Sequence, residues 1–213
     1  MKESLLRFKK DQKYLIFDYE TCNLNLVSEE NKPWQLAFIL FEGQKTIEEA
    51  DYLLSWKDLR VSKDAARITG FTKKEYNRRK SCPRKALDHF EKLLYDDQII
   101  KIGHNALGFD TYIHNIHRKL CGKTPDYSYI TELIDTVCLA RAIKKGIKRS
   151  SDTDLLSWQY RLLNHRERGL KVNLQQCCRD YDIDFDPRKL HDALYDIRKN
   201  KDVFQKMIWE VEV

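Results

Sequence analysis

The chain has 213 residues, of which 42% are hydrophobic and 34% are charged, and its net charge is +6. This length and apolar content are enough for one substantial core, so we expect a single globular domain over residues 1–213, with its motifs within 13–205. No apolar run reaches the roughly 18 residues that span a bilayer, and residues 1–14 lack the long apolar region of a secretory signal. We therefore expect a cytoplasmic or nuclear protein without a membrane partner.

Three strand-like segments come first, at 13–18, at 34–41 and in a stretch that ends with the alternating side chains Ala50, Tyr52, Leu54 and Trp56. No pattern long enough for a helix separates these segments. Consecutive strands with short links pair as an antiparallel meander, so the sequence predicts that the chain opens with a three-stranded ribbon.

Helical patterns follow the ribbon. Thr72 and Glu75 have the spacing of a capping box, which marks the start of a helix. Pro83 opens a second segment with an apolar stripe at helical spacing, made of Ala86, Leu87, Phe90, Leu93 and Leu94. That stripe predicts an amphipathic helix that packs against the sheet.

Two further short strands are predicted, at 98–102 and at 132–134. Between them lie a glycine turn and a helix that carries apolar side chains on one face. The remainder is mainly helical, with Asn173 as a helix cap and a last helix that begins near Asp192.

The cysteines have no metal-binding or disulfide spacing; they are Cys22, Cys82, Cys121, Cys138, Cys177 and Cys178. Reduced thiols are the favoured interpretation. One cluster, His114, His117 and Cys121, falls on a single helix face. It lacks a second pair of ligands, so a zinc site there is the weaker hypothesis.

Asp18 and Glu20 stand two residues apart at the end of the first apolar strand. Side chains at that spacing project from the same face of a strand, so both carboxylates point the same way. Such a pair can bind a metal ion, and it can equally mark a solvated strand end.

Two more carboxylates and a histidine extend this pattern. Asp110 follows the strand at 98–102, and is either a third ligand or a first-turn aspartate stabilised by the helix dipole. Asp196 lies in the last helix, five residues after His191. That spacing separates two side chains on a regular helix by about 140°, so both reach one site only if His191 precedes the helix. Pro187 is consistent with a non-helical entry.

Four carboxylates from separate segments, with one histidine, favour Mg²⁺ or Mn²⁺ over zinc, because hard cations prefer oxygen ligands. Two such ions about 3.5–4 Å apart can contact the attacking and leaving oxygens of a phosphodiester. The pattern therefore indicates a two-metal site for phosphodiester chemistry.

These motifs, in this order, resemble those of the DEDDh branch of the DnaQ-like exonuclease superfamily. The matching segments are D-x-E-T at 18–21, the second-strand segment at 34–37, the I-T-G-I-T-like turn at 68–72, the second motif at 103–110, D-T-x-x-L-A-R at 135–141 and H-x-x-x-x-D at 191–196. Asn105 and Asp110 are five residues apart, which resembles the longer turn of TREX-like enzymes. The resemblance covers roughly residues 13–205.

The resemblance implies a ribonuclease-H-like α/β fold. Its mixed sheet would have five strands, the first three antiparallel, with helices on both faces. It also implies a 3′-to-5′ exonuclease that releases nucleoside 5′-monophosphates and uses two Mg²⁺ or Mn²⁺ ions.

The resemblance further assigns metal binding to Asp18, Glu20, Asp110 and Asp196. Asp18 would bridge the two metals, and His191 would act as the general base that deprotonates the attacking water. Thr21 and Asn105 would hold the terminal nucleotide. Asp135 is interpreted as a helix cap.

The expected partner is a nucleic acid with a free 3′ end, with single-stranded DNA favoured. Phosphate contacts are predicted for Lys73, Lys74, Arg78, Arg79, Lys80, Lys144, Lys145, Lys148, Arg149, Arg166 and Arg168, and base stacking for Tyr127, Tyr129, Trp158 and Tyr160. An exoribonuclease or an oligonucleotide-specific nuclease is the alternative with the same chemistry. A catalytically silent nucleic-acid-binding subunit is the alternative of a different class, and a polymerase partner stays open.

Overall fold

A mixed β-sheet forms the centre of the computed structural model, which describes residues 6–165 and 167–213. The strands are β1 (Lys13–Thr21), β2 (Pro33–Glu42), β3 (Lys45–Leu54), β4 (Lys80–Ser81), β5 (Ile99–Gly103) and β6 (Leu133–Asp135). Their order is β4-β3-β2-β1-β5-β6. Strands β1, β2 and β3 pair antiparallel, whereas the β1–β5, β5–β6 and β3–β4 pairs are parallel. The predicted opening meander is confirmed.

The sheet has one strand more than the five predicted from the sequence. The additional strand is β4, which has two residues and pairs with the end of β3. A two-residue strand has no alternation that a sequence pattern can show, so only the tertiary pairing defines it.

The helices are α1 (Lys63–Thr69), α2 (Lys73–Arg79), α3 (Pro83–Leu94), α4 (Asp110–Leu120), α5 (Thr136–Lys145), α6 (Leu155–Asn164), α7 (Leu174–Asp180) and α8 (Ala193–Met207). Short 3₁₀ turns lie at Leu6–Phe8, Ala106–Gly108, Ser128–Glu132 and Pro187–Lys189. Within the described part of the chain, no helix combines the length and the apolar character needed to cross a membrane.

The helices cover both faces of the sheet, as predicted. Adjacent residues of β1 point to opposite faces, so each face has its own apolar cluster. Ile16 packs with Phe204 on the face that carries α5 to α8. Phe17 packs with Phe38 and Phe90 on the face that carries α3 and α4, and the Phe17 and Phe90 ring centroids are 5.1 Å apart.

Two predicted helix caps are confirmed. Thr72 Oγ1 accepts the Glu75 N–H at 3.3 Å, and Asn173 Oδ1 accepts the Gln176 N–H at 2.9 Å. In contrast, α1 has no counterpart in the sequence prediction. None of its side chains is buried, so no apolar stripe marks it, although Ser62 caps its first turn.

The histidines of the suspected zinc cluster make hydrogen bonds within the protein. His117 contacts the Tyr19 hydroxyl at 3.2 Å through Nδ1 and the Pro83 carbonyl at 3.1 Å through Nε2. His114 contacts Glu91 and Tyr129, each at 3.2 Å. Both rings thus use their two nitrogens to connect α4 to its neighbours, which leaves no ring nitrogen for a metal.

Glu91 of α3 is the centre of a buried ionic network on the same face. Its carboxylate pairs with Arg118 and accepts from Lys123 Nζ at 2.6 Å. Burial by itself would raise the pKa of Glu91, but the hydrogen bonds from His114, Lys123 and Arg118 lower it to about 2. The ionised carboxylate is therefore the form that the fold stabilises.

Replacing Glu91 with glutamine is expected to lower the free energy of unfolding at pH 7 by about 1.5–3 kcal/mol, the usual contribution of hydrogen bonds to a charged group. Because the folded pKa lies below the unfolded value of about 4.3, this contribution is present above pH 4.3 and disappears as the pH falls towards 2. Urea unfolding of both proteins at pH 7 and pH 2.5 measures the effect.

The matched control is Asp88→Asn, because Asp88 is a more exposed partner of the same Lys123 and its loss should cost about 0–1 kcal/mol. A Glu91→Gln deficit that is equal at both pH values would contradict the ionic interpretation.

Candidate active site

A cleft of about 900 Å³ opens where β1 ends. Its walls include all of the residues predicted for catalysis and nucleotide binding, namely Asp18, Glu20, Thr21, Asn105, Asp110, His191 and Asp196. The structure therefore brings together side chains from β1, the turn after β5, α4 and the entry to α8. Roles for these residues remain predictions at this point.

The first three carboxylates are positioned by β1 and the start of α4. Asp18 and Glu20 belong to the last residues of β1. Asp110 is the first residue of α4 and is buried, and its Oδ1 accepts the N–H of Tyr19 at 2.9 Å. This hydrogen bond attaches the start of α4 to the backbone between Asp18 and Glu20.

His191 lies in the loop before α8, which confirms the predicted non-helical entry. Its backbone is left-handed, with φ of 69°, and its N–H donates to Asp196 Oδ2 at 3.1 Å. The helix itself starts after Asp192, whose Oδ1 accepts the Tyr195 N–H at 2.9 Å. The loop conformation thus brings together two residues that a continuous helix would separate by about 140°.

Gln35 of β2 connects the beginning of α8 to the sheet. It is opposite Glu20 in the β1–β2 register and is buried. Its Oε1 accepts the Ala193 N–H at 3.4 Å, and its Nε2 donates to Asp51 at 2.9 Å. Through these contacts the first turn of α8 lies next to the end of β1.

The carboxylates of the cleft repel one another. Burial and the charges of Asp110, Glu20 and Asp196 raise the pKa of Asp18 well above its usual value. Burial, and then the charges of Asp196 and Asp110, also raise the pKa of Glu20 well above its usual value. The pKa values of Asp110 and Asp196 rise to about 7, mainly through burial. Without cations, this concentration of negative charge opposes folding.

Three of these residues have potential metal-binding atoms close together. The ligand atoms of Glu20, His191 and Asp196 all lie within 4.8 Å of one another. Asp196 Oδ1 is buried and has no hydrogen-bond partner among the described residues. Burial lowers the pKa of His191, so its imidazole is neutral near pH 7. An orphaned carboxylate oxygen among repelling carboxylates fits a site for hard divalent cations.

The turn between β5 and α4 is held by Asp135. This buried carboxylate accepts the N–H groups of Asn105 at 2.9 Å and Leu107 at 3.0 Å, and it also caps α5 through Val137. Asn105 has a left-handed backbone, with φ of 65°. A side chain at Gly103 would lie 2.3 Å from the Ala106 Cβ, so this turn requires glycine. The interpretation of Asp135 as a helix cap is confirmed.

Several cleft residues were not predicted from the sequence. Asp192 lies beside the cleft in the same H-D-A-L-Y-D segment, and its charge contributes to the raised pKa values of Asp18 and Glu20. Asn200 follows Asp196 by four residues, a spacing that places both on one helix face. Other wall residues are Leu24, Ile68, His104, Arg141 and Val172.

Some of the residues predicted to contact nucleic acid are already engaged within the protein. Four of its basic side chains are paired with carboxylates: Arg78 with Glu75, Arg79 with Asp51, Lys144 with Asp180 and Lys145 with Glu167. Tyr129 and Trp158 are buried, so their predicted stacking on bases is wrong, because core packing uses both rings. Tyr127 is exposed, and Arg166 lies outside the described residues.

A mixed sheet with an antiparallel opening and helices on both faces defines a ribonuclease-H-like fold, with a carboxylate-lined cleft at the end of β1. Family comparison agrees: the RNase_T model, described as "Exonuclease", matches residues 15–204. The chain belongs to this exonuclease family, within the DnaQ-like superfamily, whose members use divalent metals. No curated protein matches the chain in sequence.

Solved structures of E. coli exonuclease I share the fold. The zinc-bound complex with single-stranded DNA has a TM-score of 0.70 at 18% identity and covers 93% of this chain and 40% of its own. The complex with a dT13 oligonucleotide has a TM-score of 0.70 at 16% identity, with coverage of 94% and 42%. This chain therefore spans about 40% of the length of exonuclease I.

Proposed function

We propose that this chain is a DEDDh-type 3′-to-5′ exonuclease that releases nucleoside 5′-monophosphates from single-stranded DNA. The observation that carries the proposal is the convergence of Asp18, Glu20, Asp110, Asp196 and His191 on one cleft. These residues come from three separate segments, and no structural need of the fold explains why mutually repelling carboxylates should meet there. Family membership supplies the class of reaction.

The four carboxylates are proposed to hold two Mg²⁺ or Mn²⁺ ions. Burial and the charges of the other three carboxylates raise the pKa of Asp18, which is proposed to bridge the two ions. When bound, such cations neutralise the phosphate and stabilise the charge that develops on its oxygens. They would also remove the repulsion that the carboxylates impose on the metal-free fold.

His191 is proposed as the general base. Its neutral imidazole can accept a proton from an attacking water, and its ring lies beside the carboxylates of Glu20 and Asp196. The hydrogen bond from its own N–H to Asp196 keeps the loop against α8. The imidazole is thus presented to the cleft by a backbone that this hydrogen bond holds in place.

The proposed substrate is an unpaired strand. Leu24 and Ile68 expose apolar surface in the cleft, with 83% and 47% of each residue accessible, and such surface suits unpaired bases. The structural relatives include exonuclease I bound to single-stranded DNA. Thr21 and Asn105 are proposed to hold the terminal nucleotide. In this structure the Thr21 hydroxyl donates to the Asn23 carbonyl at 2.5 Å, so Asn105 offers the freer side chain.

The experiment that tests this function compares single-stranded DNA, single-stranded RNA and a duplex with a recessed 3′ end, all of matched sequence, and identifies the products by mass spectrometry. We expect nucleoside 5′-monophosphates, released fastest from single-stranded DNA. Faster release from RNA would make the protein an exoribonuclease. Binding without turnover of any substrate would support the silent nucleic-acid-binding subunit and contradict the proposal.

A further inference from the structure

His104 occupies a position in the cleft that the catalytic motifs leave without a role. It directly follows β5, which runs parallel to β1 with Ile102 beside Ile16. His104 and Asp18 each lie just beyond the last paired residues of these two strands, and both line the same cleft. The imidazole therefore shares a cleft with the proposed metal ligands.

A buried chain of hydrogen bonds holds the His104 ring. Its Nδ1 is 2.9 Å from Thr136 Oγ1, and the same hydroxyl is 3.1 Å from the Gly103 carbonyl and 2.7 Å from Asn200 Oδ1. Asn200 lies one turn after Asp196 on α8. The ring is thus linked through Thr136 to the helix that carries Asp196.

These contacts favour a proton on Nδ1 of His104. The Thr136 hydroxyl has a single proton, and the Gly103 carbonyl can only accept. If Thr136 donates to Gly103 or to Asn200, it must accept from His104 Nδ1–H, whichever way the Asn200 amide is turned. Nδ1 is then the donor, and Nε2 is left with a lone pair.

The Nε2 atom has no hydrogen-bond partner in the described part of the chain. It is buried and makes no hydrogen bond among the described residues. Asp196 Oδ1, in the same cleft, is also buried without a hydrogen-bond partner among them. Burial lowers the pKa of His104 to about 4, which keeps the ring neutral. A buried acceptor without a donor is costly, so a group that supplies a hydrogen bond at this point would be bound favourably.

On the basis of the proposed function, we propose that His104 Nε2 accepts a hydrogen bond from a sugar hydroxyl of the 3′-terminal nucleotide. A phosphodiester has only acceptor oxygens and cannot satisfy this nitrogen, whereas the 3′-hydroxyl of DNA and the 2′-hydroxyl of RNA are donors. His104 is accordingly a residue that selects strands by the hydroxyl at their end.

The test measures kcat/KM of the full chain with Mg²⁺ on strands that differ only in the last sugar: deoxyribose, 2′,3′-dideoxyribose or ribose. The wild-type protein should prefer the strand with the contacted hydroxyl by about 2- to 10-fold. His104→Ala should bring that preference close to 1 while still degrading the strands. If His104→Ala changes the ratio of deoxyribose to dideoxyribose ends, the contacted group is the 3′-hydroxyl. If it changes the ratio of ribose to deoxyribose ends, the contacted group is the 2′-hydroxyl.

Two further variants keep the test decisive. His104→Phe keeps a ring that fills the space, which guards against collapse of the alanine variant. It has no ring nitrogen, so it should also lose the preference. His89→Ala makes the same substitution on α3, outside the cleft, and should keep the wild-type preference. A preference that survives unchanged in both His104 variants, or that is absent from the wild type, would overturn the inference. Failure of the wild type to degrade any strand would instead contradict the proposed function.

Discussion

Asp18→Asn is expected to lower nuclease turnover by roughly 10³-fold or more. The carboxylate is proposed to bridge the two cations, and bound cations contribute several kcal/mol to stabilising charge on a phosphoryl group. The same change should leave the metal-free protein as stable as the wild type, or more stable, because it removes one of several repelling charges. Turnover on single-stranded DNA and melting temperature in excess chelator measure the two effects.

Asp202→Asn is the matched control, since Asp202 is an exposed aspartate on α8 outside the cleft. It should retain nearly full turnover. If Asp18→Asn keeps a tenth of wild-type activity, or melts at a much lower temperature without metal, Asp18 has a structural role and the metal assignment is wrong.

His191→Ala should reduce kcat by about 10²- to 10⁴-fold, the usual contribution of a positioned general base. Affinity for the single strand should change little, because the ring is proposed to act on water and not on the nucleotide. Metal affinity should also persist, since carboxylates are proposed to hold the ions. Turnover, oligonucleotide binding and Mn²⁺ binding on one preparation separate these properties.

Each alternative outcome for His191 has a distinct meaning. Lost Mn²⁺ binding would make the imidazole a ligand, which the proximity of its nitrogen to Glu20 and Asp196 oxygens permits. A near-normal kcat with reduced stability would make it a loop residue that merely supports α8. His89→Ala, outside the cleft, should show none of these changes.

The parts of the site that the sequence predicted are those that depend on local geometry. Alternation along β1 places Asp18 and Glu20 on one face, and the helical angle between His191 and Asp196 requires a loop before α8. For Asp110, position along the chain left two interpretations, and the resemblance to a known family favoured the metal ligand. Each of these inferences uses residues that are close in sequence, or motifs whose order is informative.

The remainder depends on contacts between distant segments. Gln35 meets Ala193 across 158 positions, and Thr136 meets Asn200 across 64. Neither pair has a local pattern that would reveal it. Tyr129 shows the converse error, because its aromatic ring suits base stacking in a sequence but fills the core in the fold.

Electrostatics connects the stability of this fold to its proposed chemistry. The hydrogen bond from Tyr19 to Asp110, and the contacts of Gln35 with the start of α8, hold carboxylates together that would otherwise separate. Such an arrangement is destabilising without cations and preorganised with them. The energetic cost of the metal-free cleft is thus consistent with a site built for divalent ions.

The carboxylate cleft is proposed to remove nucleotides from 3′ ends in a reaction that requires a divalent metal ion. The most direct measurement follows a single-stranded DNA labelled at its 5′ end, incubated with Mg²⁺ or with excess chelator, and resolves the labelled products by length. We predict a ladder of labelled strands that shorten one nucleotide at a time, and no degradation in chelator. A labelled mononucleotide as the first product, or an unchanged ladder in chelator, would contradict the account.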